Sequence, residues 1–465
     1  MDLLTTRRGA AIVIAGIALL FFSLRFALLF GRDPFFDELF TAWVARQSFA
    51  GILQALGHDS GPPLYYCIVH ALGLRSVTAL RVFSLVCATA SAAAILAYRP
   101  VGPARFTAAA LLAVYPPALL MAVDARAYAL CALFVTAGIV LLDQRRAFAA
   151  ALAFVLAAYT HYYGALFFPV LCIHLGEGHG PGFSPAAGLK PGLRPSPRDR
   201  VLAVIFSVLL FLPGLYLAFH QPVEATHWLT ASVSRVDPLT HISFAATYPA
   251  SLFAQSPRLL IAIALIALPI AVARSDRFGA AVLIPLLIVI GSLFTPRHIY
   301  FPMRFESVIA PALVLWLACS LHAWKRSVRV ALLAILLITG LVASNIGIRD
   351  HLRRPFDPYR EAALFAAKQD PALPVVASGY PYLETVNALN RPVIAFPQDQ
   401  GTHPGWRGRY TRDQLAAAGR MLPPGSFLYV GERRTPELFE LSRLRQLQPL
   451  YGNDSAIVIL ARPRP

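Results

Sequence analysis

Apolar runs long enough to cross a bilayer recur along most of this chain, and a transmembrane helix needs roughly 20 such residues. Hydrophobic residues make up 57% of the 465 residues and charged residues only 14%, too few to cover a soluble surface. Such a composition also excludes a disordered chain. We therefore expect a multi-pass membrane protein with about eleven spans, at about 9–30, 78–98, 105–122, 127–143, 147–161, 162–176, 200–219, 257–273, 279–295, 305–322 and 330–348.

The placement of positive charge predicts the orientation of these spans. The net charge of +17 would suggest nucleic acid in a soluble protein, but membrane proteins concentrate Arg and Lys in their cytoplasmic loops. With a cytoplasmic N-terminus, every inside loop carries basic residues: Arg99 and Arg105; Arg145 and Arg146; Arg194, Arg198 and Arg200; Arg274 and Arg277; Lys325, Arg326 and Arg329. The outer segments are then 31–77, 123–126, 161–163, 219–256, 296–304 and 349–465.

Two domains are expected. Residues 1–348 form the membrane domain, with the first outer loop at 31–77 and a Gly-, Pro- and Ser-rich cytoplasmic loop at 177–199. In 349–465, helical patterns alternate with four short apolar strands, which is typical of a small α/β domain outside the membrane. The five cysteines lie in apolar runs and show neither metal-binding nor disulfide spacing.

The first outer loop carries adjacent acids, Asp37 and Glu38, after an aromatic pair. A carboxylate in a half-dry site suits a general base, but acids are also favourable in the first turn of a helix. Both readings stay open. The amphipathic stretch 39–56 follows, and then His58, Asp59 and Tyr65 beside an interfacial segment at 62–74.

Three further outer turns carry polar side chains. Asp124, Arg126 and Tyr128 form a short turn between spans, either as a functional site or as a helix cap with a snorkelling arginine. His161 and Tyr162 fit an aromatic belt or a substrate site. Arg297 and Arg304 lie on the side that the positive-inside rule disfavours. Two explanations for arginines in this unfavourable position stay open. They bind a lipid phosphate, or they pair with Glu306 or the outer acids.

The ordered motifs Phe36-Asp37-Glu38, Pro62-Pro63-Leu64-Tyr65-Tyr66 and Asp124-Ala125-Arg126-Ala127-Tyr128 resemble the GT-C class of integral-membrane glycosyltransferases. The most similar branch is glycosyltransferase family 39, which includes protein O-mannosyltransferases and the lipid A aminoarabinose transferase. This resemblance implies a GT-C-like helix bundle, mainly α, in a bacterial inner membrane. It also implies inverting transfer of a hexosyl or pentosyl group from a polyprenyl-phosphate-linked donor to an acceptor hydroxyl outside the membrane.

The resemblance implies roles for individual residues. Asp37 would be the general base, Glu38 would position Asp37 or the acceptor, and Asp124 would orient the acceptor. Arg126 and Arg304 would bind the donor phosphate. The sequence departs from the aminoarabinose branch at Pro62, which no lysine precedes, and His58 is a possible substitute. No metal is required, although His58, Asp59 and the first two acids form an alternative site for a divalent ion.

Other classes of protein stay open as alternatives. An oligosaccharide ligase would share the lipid-handling face, and a phosphoethanolamine-type transferase would need a nucleophile and a metal cluster in its soluble domain. A flippase or transporter would place ionisable residues within its spans, whereas the spans here are nearly free of charge. A receptor-like module would leave the first-loop acids unexplained. The expected partners are the lipid donor, an unidentified glycan, glycolipid or protein acceptor, and membrane lipids, but no nucleic acid.

Overall fold

The architecture comes from a computed structural model, which describes residues 7–173, 196–221, 269–273 except 271, 278–292, 299–353 except 302, 358–401 except 390, and 410–464. Its membrane part is a bundle of α-helices. They are α1 Arg7–Gly31, α2 Phe36–Val44, α3 Phe49–Leu56, α4 Leu64–Ala71, α5 Val77–Ala97, α6 Ala104–Val114, α7 Pro116–Met121, α8 Tyr128–Asp143, α9 Ala147–Thr160, α10 Pro197–His220, α11 Gly279–Ser292, α12 Arg304–His322 and α13 Arg326–Arg353.

Helix α12 lies at the centre of this bundle. Of its most apolar 18 residues 89% are buried, against 22% for α10 and 28% for α1, whose large apolar side chains face outward as lipid-facing helices require. Five described helices are long and apolar enough to span a membrane, and five more apolar helices have 10–17 residues. Most of the predicted span 257–273 lies outside the described residues, so the count of about eleven stays a prediction.

The expected single helix over 105–122 is wrong, because the structure breaks it into α6 and α7. Pro116 and Pro117 lack the N–H groups that would bond the carbonyls of Leu112 and Ala113. The buried guanidinium of Arg25 in α1 supplies these bonds, at 3.4 Å to Leu112 O and 3.1 Å to Ala113 O. A charged side chain inside an apolar helix thus donates hydrogen bonds to the backbone carbonyl groups that the break between α6 and α7 would leave unpaired.

Two other predicted segments differ in detail. The amphipathic stretch 39–56 forms two helices, α2 and α3, with Ser48 capping the second. The run 147–176 divides at the expected turn, but its second half is a 3-10 helix, Tyr162–Cys172, and the proline inside it removes a backbone donor. Nearly all of the loop 177–199 and most of the loop 219–256 lie outside the described residues.

The C-terminal part contains the predicted small α/β fold. Its elements are α14 Pro358–Ala367, β1 Val375–Ala377, α15 Pro381–Ala388, β2 Val393–Ala395, α16 Arg412–Arg420, β3 Phe427–Glu432, α17 Pro436–Leu444, β4 Arg445–Gly452 and β5 Ala456–Pro463. The sheet order is β2-β1-β3-β5-β4. The first three strands are parallel, and β4 and β5 pair antiparallel with a register shift at Pro449. Strand β4 was not predicted.

Alternate residues of the sheet face two separate cores. Val375 and Ala377 pack with α14, whereas Val376 packs with α16 and α17. This fold contacts the first loop directly: the ring of Tyr380 meets Phe36 edge to face at 4.7 Å. Close by, Arg360 pairs with Asp33 at 3.1 Å. The C-terminal fold therefore lies beside the part of the first loop that carries Asp37 and Glu38.

Candidate active site

Helix α2 directs its two acids to different surroundings. It begins at Phe36, and Asp37 and Glu38 stand in its first turn, where the helix dipole favours negative charge. Consecutive helical residues point about 100° apart. Asp37 is 29% exposed, while the Glu38 side chain is 0% exposed. The two adjacent acids therefore lie in different environments, one partly exposed and one buried.

Asp37 meets two arginines that come from distant parts of the chain. Its Oδ2 lies 2.9 Å from an Arg304 guanidinium nitrogen at the start of α12, and 3.9 Å from one of Arg126 in the turn before α8. We call these three residues the Asp37 group. Burial favours the neutral acid, but the charges of Arg126 and Arg304 and the Arg304 hydrogen bond hold the pKa of Asp37 below its usual range. Asp37 is therefore a carboxylate at neutral pH.

Arg126 is fixed by several oxygens besides that carboxylate. It donates to the backbone oxygen of Asp37 at 3.3 Å, to Thr41 Oγ1 at 3.5 Å and to the Tyr66 hydroxyl at 3.4 Å. These contacts tie the turn before α8 to both α2 and α4. The Arg126 side chain remains 18% exposed.

Arg304 is oriented by aromatic rings. Its guanidinium carbon lies 4.1 Å from the ring centre of Phe301 and 5.6 Å from that of Tyr128. The preceding residue, Met303, has a φ of +69°, which is unfavourable for a side chain larger than glycine. Such strain is typical of functional sites. The chain enters α12 in a conformation that presents Arg304 to Asp37.

Glu38 belongs to a second, buried set of charges, which we call the Glu38 cluster: Glu38, Arg32, Arg81 and Asp124. The Glu38 carboxylate accepts from Arg32 at 2.8 Å, from Arg81 Nε and a terminal Arg81 nitrogen at 2.9 and 2.5 Å, and from the Ala125 amide at 3.0 Å. Arg32 also pairs with Asp124 at 2.7 Å. No side chain of the cluster is more than 6% exposed.

The other predicted site residues take several positions. The His161 ring lies 5.1 Å from that of Tyr128, and its Nδ1 accepts from the Tyr163 amide. The Tyr162 hydroxyl donates to Gln221 at 3.0 Å.

Asp59 and His58 lie just after α3, and burial raises the pKa of Asp59 against the effect of Arg126. Tyr65 is buried in the apolar core of the first loop. Arg297 lies outside the described residues.

Several residues of the site were missed by the sequence reasoning. Tyr66, rather than its neighbour Tyr65, contacts Arg126, and only the helical geometry of α4 separates the two. Arg81 and Arg32 hold Glu38. Arg81 did carry a signal, because it is a lone charge inside the apolar run 78–98, where ionisable residues mark special sites.

No group of three or more His, Cys, Asp or Glu side chains in the described part of the chain could hold a metal ion. The divalent-ion alternative at the first loop therefore gains no support from these side chains.

Comparison with known proteins shows the fold. No family model and no curated protein matches the chain. Two solved structures are similar over 97% of both chains at 13% identity: ArnT from Cupriavidus metallidurans in the apo state, with a TM-score of 0.56, and the same protein bound to undecaprenyl phosphate, with a TM-score of 0.54. The likeness confirms the predicted GT-C-like architecture, a membrane helix bundle followed by a small C-terminal α/β fold.

Proposed function

We propose that this protein is a glycosyltransferase that moves a sugar from a polyprenyl-phosphate-linked donor to an acceptor hydroxyl. The observation that carries the proposal is the Asp37 group, in which two partly exposed arginines converge on one ionised carboxylate. Two guanidinium groups suit the phosphate that leaves with the lipid. The fold supports the same reading, because an ArnT structure with this architecture was solved with bound undecaprenyl phosphate.

The reaction that we propose is a direct displacement. Asp37 accepts the proton of the acceptor hydroxyl as the oxygen attacks the anomeric carbon. The bond from that carbon to the phosphate oxygen breaks, and Arg126 and Arg304 stabilise the charge that develops on the phosphate. A single displacement inverts the anomeric configuration. When the phosphate enters, it competes with Asp37 for Arg304, and this competition raises the basicity of the carboxylate.

The remaining predicted residues have subordinate roles in this proposal. Tyr128, whose ring lies beside Arg304, and His161, whose ring lies beside Tyr128, would contact the donor or the sugar. Tyr162 and the first-loop residues His58 and Asp59 would do the same. The sequence predicts Asp124 and Glu38 to be catalytic. Both side chains are buried and paired with Arg32, and we therefore propose a supporting role for them. We further propose an inner-membrane location with the N-terminus inside. The C-terminal domain, from about residue 349, would then lie outside.

A transfer assay tests the proposal. The protein in nanodiscs is incubated with radiolabelled polyprenyl-phosphate hexoses and pentoses and with a membrane extract as acceptor. We expect label to move to the extract with wild-type protein, and to stop moving with Asp37→Asn. Asp33→Asn is the matched control, since Asp33 lies in the same loop, is 58% exposed and pairs outside the Asp37 group. Transfer that survives in Asp37→Asn rejects Asp37 as the base.

An oligosaccharide ligase remains the second candidate, and the same assay separates the two. A ligase would move label only from a lipid-linked oligosaccharide and not from any monosaccharide donor. That donor is therefore included in the panel. The sugar and the acceptor are read from whichever donor and product carry the label.

A further inference from the structure

The carboxylate of Glu38 accepts hydrogen bonds from three separate segments of the chain. Arg32 precedes α2, Arg81 belongs to α5, and Ala125 lies in the turn before α8, and all three donate to Glu38 within 3.0 Å. Asp124 extends the arrangement by pairing with Arg32. The backbone oxygens of Arg32 and Asp33 also accept from Arg81, at 2.8 and 3.1 Å. Both oxygens of Glu38 are thus occupied by protein donors.

The position of Glu38 excludes direct chemistry on a substrate. Its side chain is 0% exposed, so that an acceptor hydroxyl could not reach either oxygen without displacing an arginine. The cluster contains two carboxylates and two guanidinium groups, which makes it electrically balanced. A buried ion network of this kind contributes little net stability but can define one arrangement of the segments that it joins.

The residues on either side of these bonds belong to the Asp37 group. Asp37 directly precedes Glu38, and Arg126 directly follows Ala125, whose amide bonds Glu38. Arg126 then reaches back to the backbone oxygen of Asp37. The Glu38–Ala125 bond therefore fixes α2 and the turn before α8 at the distance that brings Asp37 and Arg126 together.

We propose that Glu38 is a positioning residue, which acts through Ala125 and Arg126 to hold the phosphate-binding arginine against Asp37. Arg32, Arg81 and Asp124 fix the Glu38 carboxylate in turn. The effect on transfer rests on the proposed function above, but the effect on the geometry of the turn does not. A displacement of about 1 Å in such a group can reduce a rate by about 10²-fold.

The experiment uses Glu38→Gln, which keeps the shape of the side chain and removes its charge. Glu440→Gln is the matched control, because Glu440 is a buried carboxylate paired with Arg443 in the C-terminal fold. Hydrogen exchange in nanodiscs measures protection of the amides at 123–128. We expect protection to fall there in Glu38→Gln, with the peptides of α9 and α12 unchanged. Unchanged exchange at 123–128, or equal loss in all helices, overturns the proposal.

A double-mutant cycle then tests the coupling to Arg126. We expect Glu38→Gln alone to lower transfer by about 10²-fold, mainly through a higher KM for the lipid donor. In an Arg126→Gln background it should lower transfer by less than about threefold. Glu440→Gln should have the same small effect in both backgrounds. Full additivity of Glu38→Gln and Arg126→Gln overturns the proposal.

The two readouts separate failure of this inference from failure of the proposed function. If wild-type protein transfers no sugar from any donor, the proposed function fails, and the exchange experiment still decides whether Glu38 holds the turn. If transfer occurs and exchange at 123–128 does not change, only the positioning role of Glu38 is wrong.

Discussion

The Asp37 group and the Glu38 cluster begin at neighbouring residues, yet they differ in burial and in charge balance. The cluster is at most 6% exposed and holds two acids and two arginines. The Asp37 group is 18–29% exposed and holds one acid and two arginines. A neutral buried set has no charge left to offer a ligand, whereas the exposed set keeps one excess positive charge beside a carboxylate. This difference is the reason why we assign anion binding to the Asp37 group in the proposed function.

The largest effect should come from removing the excess charge of the Asp37 group. Loss of one group that stabilises developing charge costs about 10²- to 10³-fold in rate, so Arg126→Gln combined with Arg304→Gln should lower transfer by about 10³-fold or more. Initial rates with the labelled donor measure this. Arg360→Gln is the control and should retain activity, because Arg360 pairs with the exposed Asp33 in the first loop and with no other acid among the residues that the structure describes. An equal loss of transfer in the double variant and in Arg360→Gln would contradict the proposal that Arg126 and Arg304 bind the donor phosphate.

Stability should respond most to the Glu38 cluster. Arg81→Met leaves the Glu38 carboxylate buried without its main partner, and breaking such a pair costs about 3–5 kcal/mol. The matched change Arg360→Met breaks the pair with Asp33, whose carboxylate is 58% exposed, and should cost less than about 1 kcal/mol. Thermal unfolding in detergent compares the two. Similar unfolding midpoints in the two variants would contradict a structural role for the Glu38 cluster that the Asp37 group does not share.

The pH dependence of transfer should follow Asp37. Its pKa in the folded protein is lowered, so the carboxylate is present above that pKa, and activity is lost as the pH falls through it. Arg304→Gln removes a charge and a hydrogen bond that lower this pKa. We therefore expect the acid limb of the rate profile to move to higher pH in Arg304→Gln. An acid limb at the same pH in both proteins would show that another group controls it.

The smallest effect is expected at the exposed pair between Asp33 and Arg360. These side chains are 58% and 27% exposed, and such pairs contribute about 0–1 kcal/mol. Arg360→Gln should shift the unfolding midpoint only slightly. A large destabilisation would mean that the C-terminal fold is attached to the first loop chiefly through this pair rather than through the aromatic contact of Phe36 with Tyr380.

Hydrophobic patterning predicted most of the architecture because apolar residues recur with different periods in helices and in strands. The four expected strands of the C-terminal fold all form, at Val375, Val393, Phe427 and Ala456. Strand β4 escaped prediction because it is an edge strand with no buried residue and with an internal proline. The break at Pro116 was hidden by the apolar residues on both sides of it.

The candidate site was only partly predictable. Asp37 and Arg304 could be chosen from their residue types and topology, but their contact joins positions 267 residues apart. No pattern in one sequence fixes such a distance. Adjacent acids likewise look alike in sequence, and only the rotation of α2 separates the exposed Asp37 from the buried Glu38.

The most direct test compares Asp37→Asn with Glu38→Gln in the same preparation, measuring both transfer and unfolding. We expect Asp37→Asn to lower transfer by about 10²- to 10⁴-fold, with a change in the free energy of unfolding below about 1 kcal/mol. Glu38→Gln should lower transfer less and stability more. Equal effects of the two variants on both quantities, or a reversed order, would contradict the assignment of Asp37 to chemistry and Glu38 to positioning.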